Sequence, residues 1–199
     1  MKNRLAQVHR YWFGDCDSDL EIIRQKGKLW FGKDDLVDQY IREQFSDLLA
    51  LATNQRIRME GLETHHQLAV ILLLDQFTRN VYRNDPKSFA SDSLALSLAK
   101  DLLNCSDNLL RPIEKVFLYL PFEHSEELDD QKKSVALYKN LYESAAENLK
   151  ESFAGFLDYA VRHHDIIMRF GRFPHRNKIL DRPSTAEEVV FLSQPGSSF

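Results

Sequence analysis

Three short stretches of this sequence concentrate the side chains that can do chemistry. The first is "DQFTRNVYR", 75–83. At 3.6 residues per turn, Asp75, Gln76, Arg79 and Arg83 fall on one stripe of a helix, with Val70, Leu74, Phe77 and Val81 opposite. An Asp75–Arg79 pair at i,i+4 accounts for two of them. It leaves Arg83 one turn beyond Arg79, and two like charges in succession call for a carboxylate from elsewhere or a bound anion. The second is "PFEHSEE", 121–127. Pro121 is expected to break the preceding helix and Ser125 to cap the next, which places Glu123 and His124 in the turn between them. They read either as a capping turn with surface charges or as a general acid–base pair.

The third is "RHHDIIMRFGRFPHRN", 162–177. His163 lies at the centre of an apolar face made by Phe156, Ala160, Ile167 and Phe170. It is a core histidine with satisfied partners or a group that meets a ligand. Asp158–Arg162 and Asp165–Arg169 are i,i+4 pairs that suit a solvated face. Beyond Gly171, a Gly/Pro turn carries Arg172, His175 and Arg176 and is expected to aim them at one anion.

Arginine forks match carboxylate and phosphate geometry, so Arg79, Arg83, Arg172 and Arg176 point to a small anionic ligand. If that site is catalytic, His124 or His175 is its acid–base group, oriented by Glu123 or Asp75, and the reaction is hydrolysis or transfer at an anionic substrate. A second reading is a helical interaction module that clamps an acidic peptide or a C-terminal carboxylate. A third is structural: the tail "PGSSF" docks the Phe199 carboxylate on the chain's own basic cluster. Glu123, His124, His163 and His175 lack diagnostic metal-ligand spacing, and the arginines around them disfavour a cation. No metal site and no cofactor are expected.

Helices must position these groups. Helical spacing of apolar residues predicts helices over 3–12, from Asp34 and Asp35 to about residue 52, over 64–83, over 88–103 and over 151–170. Pro112 opens another to about 120, and a further one covers about 125–147. Ser184 with Glu187 has the pattern of a capping box. "WFG" recurs at 12–14 and 30–32, too short and too close to mark a repeat. No alternating strand pattern is evident. The expectation is an all-α chain, one domain over 1–199 with a non-helical tail at 193–199.

The chain has 199 residues and a net charge of −4, which argues against nucleic-acid or anionic-membrane binding by the surface as a whole. Within 162–182, six Lys and Arg face two Asp, a local excess of +4. No apolar run reaches the ~20 residues of a membrane span, and no signal-peptide pattern opens the chain. Cys16 and Cys105 are expected as reduced thiols in a cytoplasmic protein.

"YWFGD", "WFGKDD", "ILLLDQFTRNVYR", "FLYLPFEHSEELDDQ", "RHHDIIMRFGRFPHRN" and "FLSQPGSSF" follow one another along almost the whole chain. In these stretches the sequence resembles a mainly bacterial family catalogued as domain of unknown function 924. The resemblance implies a helical-hairpin array similar to tetratricopeptide-repeat proteins and implies no established activity. The family pattern usually has proline where this chain has Thr78, a departure expected to leave the 64–83 helix more regular.

Overall fold

The computed structural model describes residues 1–197, and it is all-α: among the described residues there is no strand. Its α-helices are α1 (Lys2–Phe13), α2 (Asp19–Phe31), α3 (Asp35–Thr53), α4 (Thr64–Leu72), α5 (Thr78–Val81), α6 (Asp92–Cys105), α7 (Pro112–Glu123), α8 (Leu128–Ser144), α9 (Lys150–Phe170) and α10 (Ala186–Leu192). No helix among the described residues is long and apolar enough to cross a membrane.

The centre is α4. Residues 68–78 are all buried, as an apolar surface on every side of a helix requires. Helix α1 packs on α4, as do α6 and α7, and α3 covers the segment that follows it. Aromatic rings fill the space between: Trp12 against Phe77 at 5.3 Å, Trp30 against Phe117 at 4.8 Å.

Local chemistry explains the helix ends. Asp34 Oδ1 accepts from Leu36 N–H at 2.9 Å and caps α3. Gly171 ends α9 with φ 67°, in the left-handed region that glycine enters without strain. A Cβ there would meet no atom within 4 Å, so the backbone angle alone opposes substitution. Gly171→Ala is therefore expected to cost about 1–2 kcal/mol in a urea unfolding curve, with the denaturant slope unchanged.

Several sequence expectations are corrected. Helix α2 lay outside them. Thr78 does not make its segment more regular: Leu73–Phe77 form a π turn, and the Thr78 hydroxyl donates back to the Leu74 carbonyl at 2.9 Å. Pro121 does not stop α7, which runs through it to Glu123. Proline lacks an N–H to donate, but it lies in the last turn of the helix, which closes with the bond from His124 N–H to Leu120 O at 2.9 Å. Glu127, not Ser125, is the N-cap of α8. The capping box of α10 is Thr185 with Glu188, one residue on from Ser184 and Glu187.

Candidate functional site

The π turn carries the site. Turns of this kind add a residue to a helical turn and are frequent at functional positions. Here the turn places Asp75 inside the protein, 1% exposed. Its Oδ1 lies 2.7 Å from Nδ1 of His124, the C-cap residue that follows α7. Its Oδ2 accepts from the Gln76 amide at 2.6 Å. Arg79 donates to the Asp75 carbonyl and stands 3.6 Å from the carboxylate. Burial opposes the Asp75 charge, but His124 and Arg79 outweigh it and its pKa is lowered. Burial, then Arg79, lowers the pKa of His124. At neutral pH the pair is a carboxylate and a neutral imidazole. A carboxylate can only accept, so Nδ1 carries the proton and Nε2 is left as the base.

Arg79 also forms a two-point pair with Asp92, at the start of α6, at 3.0 and 3.1 Å. Arg176, in the short 3₁₀ turn Pro174–Arg176, reaches the same carboxylate at 3.3 Å. Its guanidinium lies between Phe89 and Phe173, 4.6 and 4.5 Å from the ring centres. Arg176 is 6% exposed, and its Nε is buried with no hydrogen-bond partner. Burial, then repulsion from Arg79, lowers its pKa to about 10.

Behind this layer lies Glu123, the last residue of α7, with His163 Nδ1 3.1 Å from its Oε1. That nitrogen also faces the Tyr159 carbonyl at 2.8 Å. Burial and the nearby Asp75 push Glu123 up to about 8, and burial with His124 lowers His163 to about 3. The contact is thus a neutral acid beside a neutral ring, not an ion pair. The Tyr138 hydroxyl gives its proton to Val116 O at 2.8 Å and also meets Glu123. Gln131 ties the end of α7 down, its amide donating to the carbonyls of Glu123 and Ser125 at 2.6 and 2.7 Å.

A pH dependence follows. The folded pKa of Glu123 lies above its ordinary 4.5, so the folded chain keeps a proton that the unfolded chain releases. Stability is therefore lost as pH rises through the window from about 4.5 to about 8. His163 and His175, lowered to about 3 and about 4 by burial foremost, act in the opposite sense, but only below their ordinary 6.5. Between about 6.5 and 8 the Glu123 effect stands alone among these groups. Stability should fall there by up to ~1.4 kcal/mol per pH unit. Glu123→Gln, which mimics the protonated acid, should flatten the curve. An equal slope in both proteins would contradict a neutral Glu123.

The structure thus brings together Asp75, Gln76, Arg79, Glu123, His124, His163 and Arg176, and places His175 beside them, its ring 5.6 Å from that of Phe173. Two of the expected residues are engaged elsewhere. Arg83 forms a two-point pair with Asp38 of α3 at 2.6 and 2.7 Å, which answers its stacking beyond Arg79 with a carboxylate of the chain. Arg172 is held by Glu188 at 2.6 and 2.8 Å and by the Pro183 carbonyl. The Gly/Pro turn therefore splits its cations instead of converging them. Arg169, expected on Asp165, reaches Glu187 at 2.8 Å, while Asp158–Arg162 forms as expected at 2.6 Å. The Phe199 carboxylate lies outside the described residues.

Asp92 has no place in the sequence expectations, because its partners lie 13 and 84 positions away. Glu126 was also missed. It accepts from Phe173 N–H at 2.8 Å and pairs with Arg182 at 2.7 and 3.0 Å, so the 121–127 turn anchors the turn that carries Arg176.

A family model described as "Bacterial protein of unknown function (DUF924)" matches residues 8–196. The chain belongs to this family. A solved structure of a protein of unknown function from Agrobacterium tumefaciens shares the DUF924 chain's fold. It is 31% identical, with a TM-score of 0.79, and the match covers 95% of this chain and 96% of that one. No curated protein matches this DUF924 chain.

Proposed function

We propose that the Asp75–His124 pair is the acid–base element of a site for a small anion, a carboxylate or phosphate, held by Arg176 with Arg79. The observation that carries this reading is the buried, unpartnered Nε of Arg176. An orphaned buried donor costs about 1–3 kcal/mol, more when charged, and an anion oxygen would remove that cost. Asp92 does not, because it meets Arg176 at Nη1 and not at Nε. The cluster reaches the surface at Arg79, Asp92 and His124, whose side chains are 22, 17 and 14% exposed. His124 Nε2 would take a proton from an attacking water or hydroxyl and return it to the leaving group, with Asp75 holding the ring in the required tautomer. The surface cleft of about 370 Å³ beside Arg172 suits an anion less well, since its Arg169 and Arg172 are each matched by a glutamate.

Thermal denaturation with inorganic phosphate and with small carboxylates tests the proposal. A ligand at about 100 times its Kd adds ~2.7 kcal/mol, and for this chain length that raises Tm by roughly 5–10 °C. No rise with any anion would overturn the reading.

A further inference from the structure

A second group of imidazoles gathers where α1 packs on the start of α4, apart from the Asp75–His124 cluster. The rings of His65 and His66 lie 4.0 Å apart, and the His9 ring is 5.6 Å from His65. Glu63, the N-cap residue of α4, brings Oε2 to 3.7 Å from His65 Nδ1. One potential ligand atom from each of Glu63, His65 and His66 lies within 4.8 Å of the other two. His66 is 6% exposed, and its Nδ1 is buried without a hydrogen-bond partner. Buried polar atoms almost always find one.

We propose that Glu63, His65 and His66 bind a divalent transition-metal ion, with zinc the best match to the donor set. Two imidazoles and one carboxylate, with no thiolate, suit the borderline-soft ions better than magnesium or calcium. Two histidines and a glutamate are also a recurrent three-ligand set for zinc that leaves a fourth position open. The N-terminus of α4 is the positive end of a helix dipole, and Lys2 adds to that potential. Both disfavour a cation, which gives the Glu63 carboxylate its part: it supplies the opposing charge. His9 is fixed beside the group by Glu114, whose Oε1 lies 2.7 Å from His9 Nε2. An ion of about 2.0–2.1 Å bond length to nitrogen needs the ligand atoms drawn closer, and the exposed Glu63 is free to rotate toward it.

Calorimetric titration of the full chain with zinc chloride tests this. The expected result is one zinc per chain, with affinity reduced at least about tenfold in His66→Phe and in His65→Ala, and reduced to a smaller extent in Glu63→Gln. His65 is only half-buried, so His65→Ala decides the matter if His66→Phe does not fold. No zinc binding by the wild-type chain, or unchanged binding in the histidine variants, would overturn the proposal. The anion site shares none of these residues, so either proposal can fail without the other.

Discussion

Replacing Asp75 by alanine should lower the stability of the fold by about 3–5 kcal/mol, the range found when one partner of a buried charge pair is removed. Asp75 is fully enclosed in the π turn and carries three side-chain partners. Without it the His124 Nδ1–H loses its acceptor and the Gln76 amide its own, both in a region that water barely reaches. Arg79 keeps Asp92, and that limits the loss. Asp75→Asn retains an oxygen that can accept from His124, and should cost less than alanine. Urea unfolding measures both, with the midpoint falling and the slope preserved. A loss below ~1 kcal/mol for the alanine variant would mean that the pair behaves as a solvated surface contact.

Arg176→Met is the opposite case. This guanidinium is also buried, but it is poorly matched: one 3.3 Å contact to a carboxylate that Arg79 already holds, and an Nε with no partner. Removing Arg176 leaves Asp92 its two-point pair with Arg79, so no buried charge loses its only partner. The contact with the two phenylalanine rings favours arginine by ~1 kcal/mol, and methionine keeps much of the packing there. Stability should therefore stay within about 1 kcal/mol of wild type. Anion binding should weaken. A charge-assisted hydrogen bond contributes ~1.5–3 kcal/mol, so affinity should fall by about 10- to 100-fold. The contrast between the two substitutions separates what holds the fold from what the fold holds ready.

The helices were legible where local chemistry decides them. Gly171 stops α9 and Asp34 caps α3, and both are visible in sequence. Helix α2 was hidden by its charge and by Gly27, although Ser18 and Glu21 have the spacing of a helix start and Ser18 does cap it. The second "WFG" was a further signal. Trp12-Phe13-Gly14 closes α1 and Trp30-Phe31-Gly32 closes α2, with Trp30 Nε1 donating to the Trp12 carbonyl at 3.0 Å.

The site was half legible. His163 stands out on an apolar face, Asp75 and Arg79 as a polar stripe on a largely apolar helix, and Glu123 and His124 as a turn between two helices. Arg172 and Arg176 could not be told apart, because the choice rests on Glu188 from α10 and Asp92 from α6, and no periodicity links those positions to the Gly/Pro turn. The π turn was invisible for a similar reason. An added residue in a helix leaves no mark in 3.6-residue spacing until the partners of Asp75 on neighbouring helices are known.

Arg176 is the residue on which anion binding depends most. The direct test is calorimetric titration of inorganic phosphate, and of a small dicarboxylate, into the wild-type chain and into Arg176→Met. Binding of at least one anion to the wild type, weakened at least about tenfold in the variant while its unfolding midpoint holds, is the predicted result. Equal binding by the two proteins, or none by the wild type, would contradict it.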